Sequence, residues 1–375
     1  MKRPGGPRRR VVVALAAAVM LSTVACGTNG GITSHHDGSS SSAPASSAPP
    51  AGGVSTPYHW VLDRAASLGI GGGPTTSLAS VLAPTPSTGA LWQIAGTTTN
   101  ADGTTTATIW TSPDATAWTA APLSLPGANS QARAATTLGA KTVVVGSAGT
   151  GKTQRAAVWL SSAPGAAFRQ IDAAAFAPST TTSGSVNHPT GGDANGRADG
   201  GVTMNVVAAG GLGIFASGPV DGEDALWYST DGLHWTRLKG AEQVIDAATN
   251  PHVNALLVGA NGVYAAGSVT NGSATDASVW SSTDGITWSQ VRTAQAAFTG
   301  DGDHTINGLA SIGTGFVAVG DVHSGQSRSP ASWVSPDGHS WSEASQSFPL
   351  SEGPRSDSSG ATVNAVATDT TDTTA

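Results

Sequence analysis

The chain has 375 residues, of which 39% are hydrophobic and only 11% charged, with 49 glycines, 21 prolines and a single cysteine. A charged share so far below the usual ~25% excludes a charge-rich disordered chain and a long coiled coil; one cysteine excludes a disulfide framework and a Cys-rich zinc site. The formal charge is −7, and no basic patch marks a nucleic-acid surface.

Five of the 17 basic residues, Lys2, Arg3, Arg8, Arg9 and Arg10, precede the apolar run Val11 to Leu21. That order is the plan of an export signal spanning residues 1–25, and the apolar run is too short for a permanent membrane span. Loss of this leader leaves 12 basic against 24 acidic residues. Ser22, Thr23, Val24 and Ala25 lead to Cys26 and Gly27. This stretch resembles the lipobox of bacterial lipoproteins, although Thr23 stands where that family usually has Leu. The resemblance implies that Cys26 is acylated and becomes the new N-terminus, holding the protein on the extracytoplasmic face of the cell membrane. Arg8 to Arg10 before Val11 also resembles a twin-arginine signal, so the Sec and twin-arginine routes both stay open.

After Cys26, residues 26–56 are rich in Ser, Ala, Pro and Gly and read as a flexible tether. His35, His36 and Asp37 lie within it, where no fixed geometry favours a metal. Residues 368–375 read as a disordered tail.

Between them, residues 57–367 repeat a unit of roughly 50 residues. Trp227 to Trp235, Trp280 to Trp288 and Trp333 to Trp341 each enclose Ser-x-Asp-Gly, around Asp231, Asp284 and Asp337. A weaker copy has Asp114 followed by Ala115 and ends at Trp118, and a decayed copy runs from Trp159 to Phe168. Upstream of each, two apolar runs flank a turn, as in Asn254 to Gly267, Asn307 to Gly320, Asn205 to Gly218 and Arg133 to Gly146. Two hairpins per unit without helical periodicity predict an all-β chain, a β-propeller of about five four-stranded blades. Tyr58 to Leu62 and Val363 to Ala367 resemble stray strands of a further unit, so five blades and six with one incomplete both fit. The periodic tryptophans are expected in the core rather than on a sugar-stacking platform.

The Asp carboxylate suits a tight turn because it accepts backbone N–H groups, while Gly takes the positive φ. These residues resemble the Asp-box, or BNR-like, repeat of sialidases and other propellers. The resemblance implies that each box joins strands three and four and lies away from the catalytic face. Asp114, Asp231, Asp284 and Asp337 are therefore expected to be structural. The Phe/Tyr-Arg-Ile-Pro motif that usually carries the first sialidase arginine is absent; Phe168-Arg169-Gln170-Ile171 is the nearest approach. Tyr228 and Tyr264 fall on repeat strands, where packing accounts for them.

Gly146 to Thr153 matches the phosphate-loop pattern letter by letter. It lacks the helix that pattern requires, however, and Gly146 already belongs to the repeat, so no nucleotide is expected. The reading that follows is a lipid-anchored propeller acting as a non-catalytic binding or scaffold module for an extracellular protein or glycan, with no cofactor, metal or nucleic acid. The alternative is a sialidase-like extracellular glycoside hydrolase with a non-standard catalytic set. Loops opposite the boxes gather Asp221, Glu223, Asp224, Asp276, Asp321 and His323, and the insertion around His188 and Asp193. The expected binding face is an acidic rim of Asp246, His252, Asp301, Asp303 and His304, suited to a cationic partner.

Overall fold

Each pair of apolar runs forms an antiparallel hairpin, and each Trp-bearing segment extends it to a four-stranded meander. A computed structural model describes residues 75–84, 91–124, 129–178, 201–220, 223–238, 251–272, 274–292, 295–325 and 327–344. The leader, Cys26, the tether, Tyr58 to Leu62, His188, Asp193, Asp221, Asp246 and Val363 to Ala367 lie outside these residues.

Blade one contains β1 (Thr75–Leu82), β2 (Trp92–Thr99), β3 (Thr105–Ser112) and β4 (Thr119–Pro122). Blade two follows with β5 (Ser130–Leu138), β6 (Lys141–Ala148), β7 (Arg155–Ser161) and β8 (Arg169–Ile171). Blade three has β9 (Val206–Gly210), β10 (Gly213–Val220), β11 (Glu223–Ser229) and β12 (Thr236–Arg237). Blade four has β13 (Pro251–Gly259), β14 (Gly262–Asn271), β15 (Ala274–Ser282) and β16 (Ser289–Gln290). Blade five has β17 (Asp303–Ile312), β18 (Gly315–Ser324), β19 (Ser327–Ser335) and β20 (Ser342–Glu343). All five sheets have strands in sequential order and every pairing is antiparallel. First strands pack side by side in series, β1 on β5, β5 on β9, β9 on β13 and β13 on β17. Among the described residues no comparable packing joins β17 to β1. The described residues form an all-β propeller of five four-stranded blades, with the first strands innermost.

The core lies between blades rather than within them. Val143, Leu160, Ile214 and Trp227 join blades two and three, and Phe215, Leu226, Val263 and Trp280 join blades three and four. Trp110, Trp159, Trp227, Trp280 and Trp333 are at most 1% exposed, so the leading tryptophan of every unit is core, as its periodicity indicates. Connections between blades supply aromatic plugs. Phe176 packs on Trp235, and Phe298 packs on both Trp333 and Trp341. The same connections supply carbonyls, from Ala175 to the Trp227 indole at 2.8 Å and from Ala297 to Trp333 at 2.8 Å.

The repeat glycine of each second strand has a steric cause. First strands carry a β-bulge, with register shifts at Leu78/Ser80, Ala132/Ala134, Val253/Ala255 and Ile306/Gly308. The bulge turns a carbonyl toward the facing residue, so a Cβ on Gly267 would strike the His252 carbonyl and lie 3.1 Å from the Asn254 nitrogen. Gly96, Gly146, Gly218 and Gly320 face the same obstruction from Ser77, Gln131, Thr203 and Thr305. The extra residue of the bulge is Ala79, Arg133, Asn254 or Asn307, and the contacts of Gly218 place Asn205 in that role in blade three.

Candidate functional site: the two ends of the blades

At one end of the blades, the boxes join third to fourth strands. In blade four, Asp284 Oδ1 accepts the N–H groups of Ile286 at 2.8 Å and Thr287 at 2.7 Å. Ser282 donates its hydroxyl to the same oxygen at 3.0 Å and accepts Gly285 N–H at 2.8 Å. Trp288 then donates its indole N–H to the Gly285 carbonyl at 3.2 Å. Asp337 and Asp231 repeat the pattern, with indole bonds from Trp341 to Gly338 and from Trp235 to Gly232, both at 3.0 Å. These donors stabilise the ionised form. The N–H groups of Thr287 and Ile286 bring the Asp284 carboxyl down to about 2, and those of Ser340 and His339 do the same for Asp337. Burial pushes Asp231 upward, yet His234 and Leu233 hold it far below the ordinary carboxylate range.

Blade one departs from this geometry. Ala115 occupies the glycine slot at φ +61°, and the buried Trp118 indole nitrogen has no acceptor among the described residues. Asp114 still accepts Thr116 N–H at 2.9 Å and its hydroxyl at 2.7 Å, and its carboxyl is lowered by these bonds. Each sharp box also rests on the blade before it. Gly232 lies over Leu160, Gly285 over Phe215 and Gly338 over Tyr264. Burial raises the Tyr264 phenol, and the charge of Asp337 adds to the effect.

The described residues of the expected rim, His252, Asp301, Asp303 and His304, belong to the other end of the blades. Asp303 Oδ1 accepts Thr275 N–H from blade four at 2.9 Å, and Asn129 Oδ1 accepts Thr105 N–H from blade one in the corresponding place. Asp224 is buried; its Oδ2 accepts Val253 N–H of blade four at 2.6 Å and lies 3.1 Å from His252 Nδ1. Asp321 takes Asn307 at 2.7 Å and Arg328 at 3.3 Å. His304 is buried, with Nδ1 3.1 Å from the Gly302 carbonyl, and Asp301 is exposed. The structure therefore brings His252 to Asp224, across the seam of blades three and four, and places Asp303 at the seam of blades four and five. It does not gather His252, Asp301, Asp303 and His304 around one point. Among the described residues no three His, Cys, Asp or Glu side chains converge to hold a metal. Gly146 to Thr153 forms the β6–β7 hairpin, with one 3₁₀ turn at Gly151–Thr153. No helix of the described residues is long and apolar enough to cross a membrane.

Sequence reasoning passed over the bulge residue. Arg133 is exposed on the inner strand β5, and its guanidinium donates to Gln131 Oε1 at 2.6 Å. Desolvation by the surrounding protein lowers its pKa. The signal was present: Arg133, Asn205, Asn254 and Asn307 stand equally far before the repeat glycine.

The blades and their turns define a β-propeller. No protein-family model matches the chain, and no curated protein does. Solved structures do. A thermostable family-43 glycoside hydrolase is 12% identical, with a TM-score of 0.40 over 76% of this chain and 98% of that one. A glycosyl hydrolase from Bacteroides ovatus is 12% identical, with a TM-score of 0.35 over 56% and 69%. Ycf48 bound to D1 peptide is 12% identical, with a TM-score of 0.36 over 74% and 85%.

Proposed function

We propose that the chain is an exported lipoprotein, anchored through Cys26, whose propeller binds an extracytoplasmic protein or glycan without transforming it. One observation carries the non-catalytic part. Among the described residues, three carboxylates at the loop end are engaged as structural acceptors: Asp224 and Asp303 hold neighbouring blades, and Asp321 holds Asn307 and Arg328. Hydrolysis of a glycoside calls for an acid and a second carboxylate facing one bond, each with a proton-transfer role in place of a fixed backbone donor. Rigid blades with loops of unlike sequence suit recognition, since such loops vary without disturbing the seams.

The test is turnover. The full chain is incubated with aryl α- and β-glycosides and an aryl sialoside, beside the Asp224→Asn and Asp303→Asn variants. No release of aryl alcohol above the heat-denatured control is expected from any of them. Turnover by the native chain that either variant abolishes while still folded would overturn the reading.

A further inference from the structure

We propose that Val363 to Ala367, in the segment after the described residues, docks on blade five as a sixth inner strand, with Asp321 accepting its first backbone N–H. Three seams between described blades are stitched at one recurring place, the N–H of the residue before the bulge. Ala132 donates to Thr97 Oγ1 of blade one at 3.2 Å, Met204 to the Gly146 carbonyl of blade two at 3.1 Å, and Val253 to Asp224 Oδ2 of blade three at 2.6 Å. Thr97 directly follows the repeat glycine Gly96, and Asp321 holds the same slot after Gly320. Alternate residues of a strand share a face, so Asp321 lies on the side of β18 that carries Val317 and Val319. The matching side of blade four carries Tyr264 and Ala266, which pack on blade five. Asp321 thus faces the place of a following inner strand. It is buried there, holding Asn307 and Arg328 of its own blade, and a carboxylate has capacity for a further N–H. From the bulge of blade four, Asn254 donates to the Ile306 carbonyl of blade five at 3.0 Å. Asn307 stands in the same slot, suited to the Val363 carbonyl.

Blade five also leaves this face partly uncovered. Two of the three exposed large apolar side chains among the described residues lie on it, Ile312 at 44% and Val334 at 42%. In earlier blades the same positions meet the next blade. Leu160, in the slot of Val334, lies under Gly232, and a Cβ on Gly210, in the slot of Ile312, would strike Val258. The chain carries a strand that fits. Val363-Asn364 repeats the apolar-Asn step of Met204-Asn205, Val253-Asn254 and Ile306-Asn307. Ala365, Val366 and Ala367 then follow as Ala255, Leu256 and Leu257 follow Asn254. Val363 stands 20 residues after Glu343 at the end of β20, against 16 from Gln290 to Ile306, so the connection can cross a seam. A strand tethered this closely meets the face at high effective concentration, which favours it over a second copy of the chain.

Hydrogen exchange of the full chain, read by mass spectrometry, tests the docking. Amides of residues 363–367 should exchange about tenfold more slowly than those of residues 370–375. Asp321→Ala should speed exchange at Val363. Because Asp321 also holds its own blade, Val363→Asp gives an independent readout. It lies outside the five described blades, and it should speed exchange both at residues 363–367 and along β17 and β18. Equal exchange along residues 363–375 would overturn the strand, and protection unchanged in both variants would overturn its place. Protection lost on dilution, with a dimer in light scattering, would give the face to a second copy. Protection of residues 57–74 with none at 363–367 would give it to the segment before β1. Each of these results overturns the proposal and leaves the non-catalytic reading to be decided by glycoside turnover.

Discussion

Alanine at the box glycine should cost different amounts in different blades, although the boxes read alike. Gly232 and Gly285 have φ of +80° and +75°, so a methyl at either meets the left-handed penalty, ~1–2 kcal/mol. Part of that, ~0.4–1 kcal/mol, is offset because alanine also restricts the unfolded chain. The surroundings then separate the two. A Cβ on Gly232 lies 3.2 Å from Leu160 Cδ1 and 3.4 Å from Ile214 Cδ1, methyl ends that can give way. A Cβ on Gly285 runs into the Phe215 ring, with Cε1 at 2.7 Å, and that ring is fully buried between Tyr228 and Trp288. Overpacking of this kind adds ~1–3 kcal/mol. Gly232→Ala should therefore cost about 1 kcal/mol and Gly285→Ala about 2–4 kcal/mol, with ~2–4 °C of Tm per kcal/mol in a domain of this size. Circular dichroism melts of both variants check the order. In a double-mutant cycle, Phe215→Leu should recover part of the Gly285→Ala loss and none of the Gly232→Ala loss. Equal losses, or a strictly additive cycle at Gly285, would refute the claim that the box rests on the ring.

Acid should expose the box carboxylates. Asp284 and Asp337 are held near 2 when folded, below the ordinary 3.8, so their contribution is fully present above about pH 4 and is lost as pH falls toward 2. Asp284→Asn with Asp337→Asn should flatten the Tm-against-pH curve across that window, and a curve as steep as that of the native chain would count against the assignment. At the seams, Asp303→Ala leaves Thr275 N–H without its acceptor and should cost ~1–2 kcal/mol, read as a lower Tm. Asp301→Ala, at an exposed position two residues away, should change Tm by no more than ~1 °C. For the anchor, Cys26→Ala should release the protein from membranes or leave it unprocessed with its leader, as seen by fractionation and mass spectrometry; native protein recovered soluble and unlipidated would remove the claim.

The four-stranded blade and the box position were legible because they depend on periodicities of a single strand: the tryptophan, the Ser-x-Asp-Gly turn and the glycine facing each bulge recur at set distances. The rim was not legible in the same way. Asp301 and Asp303 differ by two positions, yet one is exposed and the other holds the backbone of blade four. That difference is set by the register between separate sheets, which no pattern along one strand encodes. Asp224 likewise reads as a loop acid, but it is buried against Val253 and His252 of the next blade. Arg133 was legible as the start of a repeat unit whose slot holds Asn in three other blades, but that pattern says nothing of the bulge it occupies.

The seating of each box on the preceding blade bears on how such a chain could grow by duplication. Gly285 is matched to Phe215 and Gly338 to Tyr264, so every sharp box is paired with a side chain from an earlier copy. A duplicated segment cut at the edges of one blade would carry a box adapted to one neighbour and set it on another. A segment running from the second strand of one blade to the box of the next would keep the matched pair together. The heritable unit is then a frame offset from the visible blade, and exchange between copies should be tolerated in that frame and penalised in the other.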